Sequence, residues 1–297
     1  LGLKQAAWKS VDIPSVMPKP DLMPLTGGYR KTPVMQIGAD VYCDTQLIML
    51  ELERRLPSPA FLPKGREGEA RAITMWADRL IFSPAVGVVM SQVADKFGEA
   101  FKKDRSEFSG RTFDPVRLRA ALPIVRDQAY ALLSLAEAML ADGRPFVLGG
   151  APSLADCALY NPVWFIQQQL GATASPLDRL PRIGAWSNRM KALGEGKRQD
   201  IKAVDALDIA KAAKPAPASV DANDPSGLKA GQKIAAYLTR LPGLRDPAGQ
   251  EMQRVTPHLH AVAEEFGIDQ KDPRAQVLAL ERAFGPLDRS PHVDARE

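Results

Sequence analysis

The spacing of apolar and polar positions changes its period along the chain, and the changes mark the elements. Residues 7–13 alternate in part, and with Ile13 they predict a short strand. Residues 14–32 are rich in Pro, Gly and polar side chains, which predicts a long loop. Thr32-Pro33-Val34-Met35-Gln36-Ile37 predicts a second strand. Gly38-Ala39-Asp40 is a turn signal and Val41-Tyr42-Cys43 opens a third strand, so the pair should form a hairpin. Asp44 and Thr45 are N-cap residue types. The helix they open carries Ile48, Leu52 and Leu56 on one face and stops at Pro57 and Pro59.

From about residue 65 the period is helical. Residues 70–94 form a long, mostly apolar segment that Pro84 is expected to interrupt. Residues 115–142 predict an amphipathic helix with Val125, Leu132, Leu133, Ala136, Met139 and Leu140 on one side. Gly143, Pro145, Gly149 and Gly150 mark a turn. The most apolar stretch of the chain follows, from Ser153 through Ile166. Residues 181–193 predict another helix, with Ile183, Trp186 and Met190 in register. Ala, Lys and Pro dominate 205–224, which predicts a linker. Beyond it, apolar patches at 228–241, 259–266 and 277–284 carry little pattern.

Composition narrows the class. The 297 residues fit two modest domains. Apolar residues at 45% and charged residues at 25% are ordinary for a globular protein. The 39 basic and 35 acidic residues are too balanced and too scattered to argue for a nucleic-acid partner. Cys43 and Cys157 alone make neither a disulfide framework nor a metal cluster, so a reducing cytoplasm is the simplest setting. No apolar run is expected to span a bilayer, and no basic stretch followed by an apolar core opens the chain. His258 and His260 are two apart, and on a helix that spacing puts them on different faces, against a metal pair. Trp164, Trp186 and Cys157 are expected in the core.

Three short motifs carry candidate chemistry. Thr32-Pro33 stands at a strand entrance. A cis bond there would offer the Thr32 amide and carbonyl to an extended peptide ligand, whereas a trans proline would simply begin an edge strand. Asp44-Thr45 opens a helix, where free amides and a partial positive charge favour a bound carboxylate and Asp44 could hold an ammonium; the same pair also suits a plain cap. Ser153-x-x-Asp156 is a capping box, read as a structural device that nucleates a buried helix.

Taken together and in this order, these motifs resemble the glutathione transferase superfamily. The matching text is Lys31-Thr32-Pro33-Val34-Met35, Gly38-Ala39, Asp44-Thr45-Gln46-Leu47-Ile48, Pro57 and Gly149 to Asp156. The resemblance covers residues 1 to about 200 and makes the cis form of Thr32-Pro33 the expected one. It implies an α+β chain with a thioredoxin-like domain over 1–57 and an all-α C-terminal domain over 65–204. A linker would follow at 205–224 and an extension at 225–297. It further implies that glutathione is the co-substrate. The Thr32 backbone, preceding Pro33, would pair with the cysteinyl unit, and Asp44 and Thr45 would hold the γ-glutamyl end. Arg30 or Lys31 would meet the glycyl carboxylate. A hydrophobic electrophile would be the second partner, and a homodimer is usual in the family.

The sequence departs from the family in two places. Leu1-Gly2-Leu3 matches the end of the family's first helix, so the first strand and the catalytic loop with its Ser, Tyr or Cys have no counterpart. The catalytic residue is therefore unassigned, and Tyr42 and Cys43, on another strand, do not replace it. Weak or absent conjugation is the expectation, with a non-catalytic binding protein or an inactive fragment as alternatives. At the other end, Gly227 to Ile234 looks like the opening of a small β module, and the likeness stops after Ala235.

Overall fold

The computed structural model describes residues 1–216. Residues Leu1–Pro215 form one compact unit within this span. The extension at 225–297, with Gly227 to Ile234 and the His258/His260 pair, lies outside the described residues.

The hairpin forms as the alternation predicts. Strand β1 is Ala7–Val11, a short helix α1 is Met23–Thr26, and β2 (Val34–Ile37) and β3 (Asp40–Cys43) pair antiparallel from Val34↔Cys43 to Ile37↔Asp40. The turn is Gly38-Ala39, with Gly38 at φ 60°, a left-handed conformation that suits glycine. Helix α2, Thr45–Arg55, follows at once. Its Ile48 is buried, while Leu56 lies past its end and is 36% exposed.

The helical part contains α3 (Glu67–Trp76), α4 (Phe82–Val93), α5 (Glu99–Ser109), α6 (Pro115–Met139), α7 (Leu154–Leu170) and α8 (Pro181–Ala192). The expected core stripes are buried: Leu133, Ala136 and Leu140 with Ile183, Trp186 and Met190 in one cluster. Gly87 lies where α4 meets α6, and a Cβ there would stand 3.0 Å from the Val125 side chain, which would have to give by a few tenths of an ångström.

Pro84 does not interrupt its helix. A π-helical segment, Ala77–Ile81, joins α3 to α4 and widens the turn just before the proline. The continuous helix, Glu67–Lys96, is long and apolar enough to cross a membrane by length and composition, contrary to expectation. Its Ala70, Ala77, Ile81, Ala85 and Val89 lie instead in the core cluster with α6, α7 and α8.

The domain boundaries need two corrections. Residues Lys197–Ile201, expected within the all-helical segment, form strand β4, which pairs parallel with β1 from Ala7↔Lys197 to Val11↔Ile201. Four of its five positions are exposed, so it is held by its ladder and has no apolar face to announce it. Trp8 Nε1 donates to the Glu195 carbonyl at 2.7 Å, and Gly196, at φ 77°, lets the chains approach where a Cβ would meet the Ala6 oxygen at 2.5 Å. Residues expected to begin the linker form helix α9, Ala203–Ala212. Alanine is the best helix former, so its abundance there favours helix until Pro215. Helix α9 meets the hairpin, as Gln36 Nε2 donates to the Ala206 carbonyl at 2.8 Å.

Lys4 ties the N-terminal segment down. Its fully buried ammonium donates to Glu53 and to the Leu56 and Pro59 carbonyls, and it lies 4.1 Å from the centre of the Phe61 ring. Glu53 also accepts from the Phe61 and Leu62 amides, and the Phe61 carbonyl accepts from the Leu154 amide at 2.7 Å. One chain of bonds thus joins residue 4, α2, the 56–62 connection and the start of α7.

Candidate functional site

Thr32 and Pro33 precede, and Asp44 and Thr45 follow, the last pair of the hairpin, Val34↔Cys43. The ladder ends at that pair, so Pro33 and Asp44 are the residues next to it, and Thr45 begins α2. The Thr32–Pro33 bond is cis. Thr32 is exposed, and its backbone makes no hydrogen bond among the described residues. Its amide and carbonyl are therefore available to an extended ligand.

Asp44 carries the strain of the site. It has φ 77° and ψ 130°, a region that side-chain-bearing residues rarely adopt and that costs about 1–3 kcal/mol. Two bonds offset it: Asp44 Oδ1 accepts from the Gln46 amide at 2.8 Å, and its carbonyl accepts from the Ile48 amide at 3.0 Å. Thr45 is the exposed first residue of α2. That helix has 11 residues, no acid in its first turn, and Arg54 and Arg55 in its last, so its amino end keeps its partial positive charge.

Three groups around Asp44 were not singled out by sequence. Gln46 Nε2 donates to Asp78 Oδ2 at 2.7 Å, which brings the π segment against the start of α2. Burial pushes the Asp78 carboxyl up; the Gln46 bond opposes that and the Asp44 charge adds to it. Burial also pushes the Tyr29 hydroxyl up, with the charges of Asp44 and Cys43 adding. Gln46 was marked only by its place two residues after the cap and within the matching text, with no role assigned to it. Nothing local marks Asp78 or Tyr29, because folding alone brings them here. A helix amino terminus beside Asp44 and Asp78 offers a partner to each half of an α-amino acid: amides for its carboxylate, carboxylates for its ammonium.

Arg30 is not available to a ligand, contrary to expectation. It is buried, and its Nη2 donates to Asp104 Oδ1 at 2.8 Å and Oδ2 at 2.7 Å. Lys31 remains exposed, with Nζ 5.9 Å from the Phe108 ring centre. Tyr42 is engaged on α2, donating to Glu51 at 3.2 Å and accepting from Arg55 at 3.3 Å. Burial, with the Asp44 charge, raises the Cys43 thiol, which is the wrong direction for a nucleophile.

The other candidates have structural places. Asp156 accepts from the amide and hydroxyl of Ser153, so the box caps α7 as expected. Cys157 packs against the core, and burial pushes its thiol up to about 11. Trp186 is fully buried, whereas Trp164, expected in the core, is 42% exposed. A cavity of about 390 Å³ opens beside Glu69, Ile73, Met139 and Arg144 and shares no lining residue with the hairpin end. Its charged rim is already paired, Arg144 with Asp142 and Glu69 with Arg66.

Comparison with known proteins agrees with the fold. Residues 1–60 match the family model of the glutathione S-transferase N-terminal domain, and residues 91–189 that of the C-terminal domain. A GST-like protein of known structure from Pseudomonas syringae is 38% identical, covering 77% of this chain and 74% of that one at a TM-score of 0.60. A glutathione S-transferase from Rhodospirillum rubrum is 19% identical, covering 59% of this chain and 72% of that one at a TM-score of 0.45. No curated protein matches. The chain belongs to the glutathione S-transferase family, with a thioredoxin-like N-terminal part and a helical C-terminal part.

Proposed function

We propose that this protein binds glutathione at the open end of the hairpin and conjugates it through its sulfur to hydrophobic electrophiles. The observation that supports the reading is a Thr32 backbone without a hydrogen bond among the described residues, two residues before the hairpin's last pair, Val34↔Cys43, which α2 follows. In this reading the cysteinyl unit pairs with Thr32. The γ-glutamyl carboxylate lies at the amides around Thr45, and its ammonium faces Asp44. Lys31 is the exposed cation nearest in sequence for the glycyl carboxylate.

The reaction is attack of the glutathione thiolate on carbon. A C–S bond forms, the leaving group departs, and the thiol proton passes to solvent. Orientation is what a bound peptide contributes, since fixing two reactants lowers the entropic part of the barrier. Among the described residues Tyr42 and Cys43 are not set to activate the thiol. That observation favours a second reading, a protein that binds glutathione without conjugating it. Exposed Leu47 and Leu50 on α2, with Met75 and Leu80 across the Gln46–Asp78 contact, support a homodimer through this face.

Retention on immobilised glutathione and an aryl-halide conjugation assay test both readings. Retention with turnover supports the transferase, retention alone supports the binding protein, and loss of retention removes glutathione from the account. Asp44→Asn keeps the helix cap and deletes the charge, so it should weaken retention while leaving the melting temperature within a few degrees.

A further inference from the structure

Thr32 has no backbone hydrogen bond among the described residues, yet the chain on either side is held. On one side Val34 is locked into the hairpin opposite Cys43. On the other, Arg30 is gripped at both ends. Its guanidinium nitrogen Nη2 reaches both oxygens of Asp104, and its carbonyl accepts from Lys19 Nζ at 3.1 Å. Among the described residues, Lys31, Thr32 and Pro33 make no hydrogen bond between the two anchors.

The Arg30 anchor comes from the helical part of the molecule. Asp104 stands on α5, is 5% exposed, and also accepts from the Met17 amide at 2.9 Å. Arg105, the next residue of α5, donates to the Ser15 carbonyl at 3.0 Å, and Phe108 lies 4.8 Å beneath the Arg30 guanidinium. Helix α5 therefore holds residues 15–30 through Asp104, Arg105 and Phe108. Charge makes Asp104 the key member. Lys19, Arg30 and Arg105 converge there, and Asp104 is the acid opposing them. Burial, then the charges of Arg30 and Arg105, push the Lys19 ammonium down, and only Asp104 pulls it back. Without the carboxylate, buried Lys19 and Arg30 and half-buried Arg105 face one another unopposed, and the loop is driven from the site.

We propose that Asp104 is a positioning residue for glutathione: through Arg30 it sets the place of the Thr32 backbone, so a helix outside the thioredoxin-like part controls peptide affinity. The inference rests on the glutathione reading above. It differs from a general stabilising role, since the effect should reach the ligand through one loop.

The test compares full-length wild type with Asp104→Asn, Asp104→Glu and Glu137→Gln. Glu137 accepts from the Arg182 and Ile183 amides at the start of α8 and serves as a destabilised control outside the clamp. Two quantities are read: the Kd for glutathione by calorimetry, and the initial rate of tryptic cleavage after Arg30 and Lys31 by mass spectrometry. The expected result for Asp104→Asn is cleavage faster by about tenfold and a Kd raised by about tenfold. Asp104→Glu should recover both to within about threefold, and Glu137→Gln should lower the melting temperature and change neither. Faster cleavage with an unchanged Kd makes Asp104 merely structural and overturns the proposal. So does a raised Kd with unchanged cleavage, or a Kd that rises equally in Glu137→Gln. Failure of wild type to bind glutathione overturns the glutathione reading and the positioning role with it; the cleavage rates then separate a real clamp from none.

Discussion

The indole N–H of Trp186 donates to Asp156 Oδ1 at 2.9 Å, joining α8 to the first turn of α7 inside the core. Asp156 is fully buried and accepts three further bonds, from the Val147 amide at 2.8 Å, the Ser153 amide at 2.9 Å and the Ser153 hydroxyl at 2.8 Å. The carboxylate thus fastens the turn before α7, the helix start and a second helix. Asp156→Ala would strand several buried donors, each costing about 1–3 kcal/mol. The expected loss is at least about 3 kcal/mol of unfolding free energy, read by urea titration with Trp fluorescence. A loss below about 1 kcal/mol would show that the network is not what holds α7 and α8 together.

The capping box was legible because both of its partners lie within four residues. The Trp186 bond was not, since it closes a gap of 30 positions. The same divide runs through the molecule. The hairpin, α2 and the buried faces of α6 and α8 follow from local spacing. Strand β4 does not, because Lys-Arg-Gln-Asp-Ile has no alternation and its order comes from pairing with β1. Thr32, Pro33, Asp44 and Thr45 were legible as turn and cap chemistry at one hairpin. Tyr29, Asp78 and the burial of Arg30 depend on which elements fold against that hairpin, and Trp164 was misplaced because an apolar run does not tell its inner face from its outer.

The two cysteines should differ in reactivity. Burial lifts the Cys157 thiol to about 11, which leaves roughly one molecule in ten thousand as thiolate at neutral pH. The Cys43 thiol is raised too, by burial and then by Asp44, and sits at the end of a hairpin strand. Iodoacetamide at pH 7.5 should label Cys43 slowly and Cys157 only in denaturant, as read by peptide mass spectrometry. Native labelling of Cys157 at the Cys43 rate would contradict the packing of α7.

Glu51 should titrate far below an ordinary glutamate. The Arg54 hydrogen bond holds its carboxyl down at about 2; burial opposes this, and Arg55 adds to the lowering. Because the folded value lies below the unfolded one of about 4.3, the contribution to stability is complete above that pH and is lost as the pH falls toward 2. Carbon-detected NMR of the Glu51 carboxyl should place its midpoint well under 4. Arg54→Ala should move that midpoint upward, and no movement would exclude the Arg54 bond as the cause.

The homodimer reading makes a prediction about Leu80. It is 55% exposed on the π segment, with Met75 at 46% on α3 and Leu47 at 49% and Leu50 at 37% on α2. The Gln46–Asp78 bond joins α2 to the π segment that bears Leu80, and in the homodimer reading these four exposed side chains form the contact. Large exposed apolar side chains gathered on one face mark a contact surface more often than chance exposure. A cation placed at Leu80 would be desolvated in the contact, and the association should fail while the monomer stays folded. Light scattering should therefore give wild type twice the mass of one chain and Leu80→Arg the mass of one, with unchanged circular dichroism. A wild type that is monomeric at tens of micromolar, or a Leu80→Arg variant that stays dimeric, would move the contact away from this face.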